Sequence, residues 1–433
     1  MNDLTLKDCV DRKALSRIQL ERLQQTVTRL YEKVPFYTKA FDEKGVKPRD
    51  LKTLADLAKF PCTVKTDLRD HYPFGLLSVP QNDIVRIHAS SGTTGKPTVV
   101  CYTREDLSIW AETMCRTLQM GGATEDDMVQ VGYGYGLFTG GLGVHYGAER
   151  LGCSVVPMGG GSTEKQLMLI RDFGTTVICC TPSFFIHMIE EAEKIGLDFR
   201  DTKLRIGFFG AEPWTEEMRQ LIQEKSGIRA YDIFGLSEIM GPGVSADCEC
   251  HCGLHIFEDH YYPEILDPDT DEVLPPGEEG EIVFTTITKK GMPLLRYRTH
   301  DISRLHYEQC KCGRTLVRME KIRRRSDDML IIRGVNLFPS QVESVLLPIK
   351  GTVPHYQLVV TRTKAMDELE IKVEVTPDVF SDEVRSLEVL RNKIAFEIKQ
   401  IIGLTAKITL VEPGTLERSA GKAKRVLDLR NQA

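Results

Sequence analysis

Residues 90–98 read SSGTTGKPT, a run of hydroxyls, glycines and one lysine with almost no apolar side chain. Glycine tolerates positive φ, so successive backbone N–H groups can converge on an anion, and Lys96 adds a point charge. Ser90, Ser91, Gly92, Thr93, Thr94, Gly95 and Lys96 are therefore candidate phosphate contacts. The run is not a Walker A loop. That motif needs four residues between its glycines and a Ser or Thr after the lysine, whereas two residues separate Gly92 from Gly95 and Pro97 follows Lys96. A tight hairpin of turn-formers is the competing reading. A second grouping is CECHCGLH (248–255) with CKC (310–312), five thiols and two imidazoles. Clustered cysteine and histidine suit a closed tetrahedral zinc site, with reduced unliganded thiols as the alternative. A third is GYGYGLFTGG (132–141), whose glycines and rings either pack a sheet end or line a flat pocket.

These residues need a scaffold, and the chain is long enough for two domains or more at 433 residues. Hydrophobic content of 41% and charged content of 27% are those of a globular chain. A net charge of −6 disfavours general nucleic-acid or membrane-surface binding. The N-terminus carries early acids and no apolar core, and no stretch approaches a membrane span, so a cytoplasmic protein is expected. Seven of the twelve cysteines are scattered in a way that suits buried free thiols.

Residues 12–32 have the pattern of a charged amphipathic helix. From about residue 81 short apolar strands (DIVRIHA, DMVQVGYG, TTVICC, KLRIGFFG, IRAYDIFG) alternate with helical segments such as REDLSIWAETMCRTLQM and TEEMRQLIQEKSG. The alternation predicts βαβ units around a mostly parallel sheet flanked by helices. After residue 245 short strand-like runs predict a β-rich subdomain. From 328 a small α+β unit follows, and the charged KIRRRSDDM between the blocks suits a hinge. The expected class is α/β, with a large domain over 1–326 and a small mobile domain over 328–433.

The wording of the motifs is more specific. SSGTTGKP, GAEPW (210–214), YDIFGLSE (231–238), RYRTHD (296–301), RRSDDMLIIRGVNLFPSQVE (324–343) and RSAGKAKRV (418–426) occur in one register and resemble segments of the adenylate-forming acyl-CoA synthetases. SSGTTGKPTVVCYT, IFGLSEIMGPGV and GVNLFPSQVE resemble the phenylacetate–CoA ligase branch in particular, from about residue 10 to the C-terminus.

The resemblance implies a ligase that converts an aryl acid, ATP and CoA to acyl-CoA, AMP and pyrophosphate, in aromatic-acid breakdown such as phenylacetate catabolism. It implies a homodimer without nucleic-acid or membrane partners. An adenylyltransferase passing AMP to a non-CoA acceptor, such as a deazaflavin, is the alternative. By the same likeness Gly210, Ala211, Glu212, Pro213, Tyr231 and Asp232 bind ATP, and Asp301 with Arg325 holds the ribose. Glu238 carries Mg²⁺ and Lys422 acts on the carboxylate and α-phosphate. Tyr135, Phe138, Gly235, Ile239 and Pro242 line the aryl-acid pocket. Asp327 is the hinge, and Gly334 lines the CoA path. Zinc falls to Cys248, His255, Cys310 and Cys312, with Cys252 as the substitute ligand.

Overall fold

The computed structural model describes residues 8–90, 97–322, 324–326, 330–332, 335–363, 366–381, 384–417 and 425–430. The chain divides into two compact units, one of residues 1–180, 202–211 and 229–321, the other of 181–201, 212–228 and 322–433.

In the first unit β1 (Arg86–Ser90) and β2 (Thr98–Tyr102) pair antiparallel, with Ser90 opposite Thr98. Thr103 then starts the helix Arg104–Met120 through a capping box. Its hydroxyl accepts from Asp106 N at 3.2 Å, and the Asp106 carboxylate accepts from Thr103 N at 2.8 Å. Trp110, Met114 and Leu118 recur every four residues and are buried, as a core-facing stripe requires. This helix meets the helix Thr139–Leu151 closely: a Cβ on Gly147 would lie 2.3 Å from Met114 Cβ, so only glycine fits there.

β3 (Met128–Val131), β4 (Ser154–Val156), β5 (Val177–Cys180), β6 (Ile206–Gly210) and β7 (Arg229–Phe234) form a parallel ladder in the order β4-β3-β5-β6-β7. β5 and β6 are buried at every position, as parallel strands covered on both faces are. The β-rich segment after residue 245 does not form a separate sheet. β8 (Ser245–Ala246) pairs antiparallel with β7 and closes its edge. The ladder runs on through β9 (Leu254–Ile256), then β13 (Arg318–Met319), β12 (Tyr297–His306), β11 (Glu279–Thr286) and β10 (Tyr261–Leu266). Burial alternates along β12, which puts Asp301 on its covered face.

In the second unit β14 (Leu330–Ile332) pairs with β15 (Val335–Leu337). The long hairpin β16 (Thr352–Thr363) and β17 (Met366–Val375) is extended by β18 (Lys407–Val411), parallel to β17, and β19 (Val426–Asp428), parallel to β16. Leu358, Val360, Ile371 and Val373 form one core with Val342 and Leu346 of the helix Pro339–Leu346 and Ile394 and Ile398 of the helix Val384–Ile402. Among the described residues no helix is long and apolar enough to cross a membrane.

Candidate active site

The turn after β7 carries Glu238. Leu236 O accepts N–H groups from Ile239 (3.2 Å), Met240 (3.1 Å) and Gly241 (2.7 Å), which folds the chain back on itself. A Cβ on Gly235 would lie 2.6 Å from Gly241 Cα, and one on Gly241 would lie 2.3 Å from Leu236 N. Glycine at both positions is what lets the two arms meet. Met240 sits at φ 117°, outside the usual range of a side-chain-bearing residue. Such conformations cost about 1–3 kcal/mol and persist where surrounding contacts over-determine them.

The surrounding contacts are present. Tyr102 OH donates to Ser237 O at 3.2 Å, Trp110 Nε1 donates to Pro242 O at 2.7 Å, and the Ser237 and Thr139 hydroxyls meet at 3.0 Å. Behind the turn Tyr102 stacks on Trp110 with centroids 5.1 Å apart, and His88 stands edge-on to both. Glu238 itself is buried, and its Oε1 takes the Lys65 ammonium at 3.1 Å. Ile239 is fully buried, and Pro242 packs where a Cβ on Gly143 would come within 3.0 Å of it.

The aromatic segment lies against the same block. Leu137 O accepts from Ala89 N at 2.9 Å and lies 3.1 Å from His88 Nδ1, which ties residues 137–138 to β1, the strand ending at Ser90. Tyr135 OH meets His145 Nδ1 at 3.1 Å, and burial pushes its phenol well up. Phe138 keeps 38% of its surface exposed. The structure thus joins residues 137–139 and the turn of Gly235, Glu238, Ile239 and Pro242 to β1, which ends at Ser90, while Tyr135 pairs with His145 of the helix Thr139–Leu151.

At the end of β6, a Cβ on Gly210 would lie 2.3 Å from Ile233 O, and Ala211 has φ 71°. On neighbouring β7 the Tyr231 ring is buried and stacked on Phe208, while Asp232 lies 3.8 Å from Lys321 Nζ. Asp301 is buried beside His300, whose φ is 62°, and its N–H donates to Thr299 Oγ1 at 3.0 Å. Glu212, Pro213 and Arg325 belong to the second unit. There Glu212 accepts from Ser183 N at 2.8 Å, in the first turn of the helix Pro182–Lys194, whose N-cap is Thr181. Ser91, Gly92, Thr93, Thr94, Gly95, Lys96, Asp327, Gly334 and Lys422 lie outside the described residues.

Cys248, His255, Cys310 and Cys312 converge, with their donor atoms all within 4.8 Å of one another. Cys248 Sγ to Cys310 Sγ is 3.8 Å and Cys312 Sγ to His255 Nε2 is 3.5 Å. Bonds of about 2.3 Å to sulfur and 2.0–2.1 Å to nitrogen at tetrahedral angles give edges of about 3.8 and 3.6 Å, so the group is compatible with a zinc site. Cys252 Sγ lies 3.3 Å from Cys310 Sγ but is exposed and stands outside the group of four whose donors all converge. Burial, with Arg314 and Arg318 nearby, pushes His255 down to about 4, which leaves a neutral imidazole with a lone pair to give. Sequence reasoning did not find Lys65, His88, Tyr102, Trp110 or Thr139 as neighbours of the site. Each is a single residue far from its partner in the chain, and none sits in a motif.

The AMP-binding enzyme model matches residues 10–288, and the AMP-binding enzyme C-terminal domain matches residues 334–430. The chain is 54% identical to the phenylacetate–coenzyme A ligase of Aromatoleum evansii, covering 96% of this chain and 94% of that one. It is 53% identical to that of Thermus thermophilus, covering 98% of each. Its structure superposes on the crystal structure of 2-hydroxyisobutyryl-CoA ligase, in the postadenylation state in complex with R3-HIB-AMP, with a TM-score of 0.92 and 30% identity, covering 98% of this chain and 91% of that chain. This chain belongs to the phenylacetate–coenzyme A ligase family of AMP-binding enzymes.

Proposed function

We propose that the chain is an ATP-dependent aryl-acid CoA ligase of the phenylacetate type. In the first step the acid's carboxylate attacks the α-phosphate of ATP, giving an acyl-adenylate and pyrophosphate. In the second the CoA thiol attacks the acyl carbon, giving the thioester and AMP. The observation that carries this reading is 54% identity to a phenylacetate–coenzyme A ligase over 96% of the chain. The connected region of Ser90, the aromatic segment and Glu238 supports it.

Within that reading Tyr135, Phe138, Gly235, Ile239 and Pro242 bound the ring of the acid, and a flat aromatic wall suits an aryl substrate. Gly210, Ala211, Glu212, Pro213, Tyr231 and Asp232 are assigned to the nucleotide. Asp301, an acceptor-only group when ionised, is assigned to the ribose hydroxyls with Arg325. Glu238 would hold Mg²⁺, a hard cation that takes oxygen ligands and neutralises phosphate charge. Residues 90–96 are assigned to the phosphates and Lys422 to the charge that grows on the α-phosphate, where a cation stabilises the transition state. Asp327 and Gly334 are assigned to the hinge and the CoA path, all on motif likeness.

Cys248, His255, Cys310 and Cys312 would hold zinc. With four protein ligands the ion cross-links the segments at 248–255 and 310–312 and takes no part in the reaction.

The test incubates the protein with phenylacetate, ATP and Mg²⁺, with and without CoA, and follows AMP, pyrophosphate and thioester. AMP and thioester forming together only when acid and CoA are both present is the expected result. AMP transfer that ignores CoA, or no AMP from a panel of aryl acids, sinks the ligase reading.

A further inference from the structure

Lys289 is only 2% exposed, yet among the described residues its Nζ reaches no carboxylate within ion-pair distance. It donates to Glu238 O at 3.3 Å and lies 4.5 Å from the centroid of the Tyr102 ring. The Asp106 carboxylate already takes backbone N–H groups from Thr103 (2.8 Å), Lys290 (2.6 Å) and Gly291 (2.9 Å). Those contacts fix the main chain just after Lys289. Ser78 adds two more, donating from Oγ to Lys290 O at 2.5 Å and from N to Gly291 O at 3.0 Å. The backbone is therefore clamped so that one long side chain passes under Tyr102 and ends on the carbonyl of Glu238.

Burying an ammonium costs several kcal/mol unless it is paired. A neutral donor serves elsewhere in the same turn, where Tyr102 and Trp110 hold Ser237 O and Pro242 O. The charge must therefore do something that a neutral donor does not. Among the described residues two cations bear on Glu238. Lys65, with 39% of its side chain exposed, sits on the carboxylate itself, where an incoming metal–nucleotide can displace it. Lys289 is inside, attached to the main chain, and has no solvent to move into.

We propose that Lys289 is a positioning residue for Glu238: its ammonium anchors the Glu238 carbonyl and keeps a positive charge behind the carboxylate when Lys65 is displaced. The inference rests on the ligase reading, in which Glu238 holds the metal of the nucleotide.

The test is pyrophosphate exchange by the full chain with phenylacetate, ATP and Mg²⁺, comparing wild type, Lys289→Met and Lys289→Ala. Methionine fills the space without the charge, and replacing a buried ion by an apolar side chain is often neutral or stabilising. Lys289→Met is expected to lose about 10- to 100-fold in kcat/KM for ATP·Mg²⁺, with an unchanged KM for the acid and an unchanged or raised melting temperature. Lys289→Ala is expected to regain activity on addition of ethylammonium, which a purely structural role would not allow. A Lys289→Met enzyme with wild-type kinetics overturns the inference and leaves the ligase reading intact. Loss of activity that tracks loss of melting temperature, with no amine rescue, also overturns it. A wild type silent in exchange overturns both.

Discussion

The cysteine cluster and the Glu238 turn are both buried and both hold their chemistry within a few ångströms, but they are assembled in opposite ways. The cluster draws its donors from two short runs, 248–255 and 310–312, and the side chains that converge are the ones that would do the chemistry. The Glu238 turn has a single reactive side chain, and its geometry is imposed from outside. Tyr102, Trp110 and Lys289 reach it from 135, 132 and 51 residues away along the chain. A cluster of ligands carries its own reason for converging, because a metal rewards it. A turn held by borrowed donors is only as good as the scaffold around it.

This contrast can be broken experimentally. The largest effect is expected from Glu238→Ala, which removes the chemistry and leaves the scaffold. Its partner Lys65 is exposed enough to return to water, so pyrophosphate exchange should fall by about 10²–10³-fold with little change in melting temperature. Retained exchange would remove Glu238 from the site. Cys310→Ser should do the reverse. Metal analysis should show zinc in the wild type and its loss in the variant, with a melting temperature lower by about 5 °C or more. Equal metal content and stability in both proteins would assign the group as free thiols.

Trp110→Phe tests the borrowed donors. It keeps the stacked ring and deletes the N–H on Pro242 O, leaving a part-buried carbonyl without this donor at a cost of about 1 kcal/mol. The expected result is a rise of about tenfold in KM for the aryl acid, with KM for ATP nearly constant. An unchanged acid KM would show that Pro242 is not part of the acid wall.

The smallest effect concerns His88. Burial holds its imidazole below the ordinary value, with Arg86 and Lys289 adding and its hydrogen bonds to Leu137 and Phe138 opposing. Below about pH 6.5 the unfolded chain binds a proton that the folded chain refuses, so this residue's contribution to stability falls as the pH drops. Between pH 7.5 and 5.5, His88→Gln should lose less melting temperature than the wild type. Identical slopes would mean that His88 titrates freely in the folded protein.

The sequence made some of this legible and left other parts out of reach. The alternation of short apolar strands with helical segments was enough for the α/β class, because parallel strands covered on both faces read as continuous apolar runs. It was not enough to show that β8 joins the β-rich segment to the edge of β7 in one ladder, since strand pairing depends on contacts that no local pattern encodes. CECHC contains three thiols of equal sequence merit. The family resemblance favoured Cys248 with Cys252 as substitute, and the folded chain adds that Cys248 is buried in the converging group of four while Cys252 is exposed outside it. Glu238 could be picked from its motif, but Lys65 and Lys289 could not, because a lone lysine reads as a solvated charge until its burial is known.

What the sequence by itself determined is the set of reactive side chains and the family to which their order belongs, since residue type and spacing along the chain carry both. Only the tertiary structure decided the environment of each: how buried each thiol of the cluster is, which carbonyls of the turn are held, and which lysine is inside. Burial, dielectric surroundings and the direction of a hydrogen bond arise where distant segments meet, and they exist only once the chain is folded.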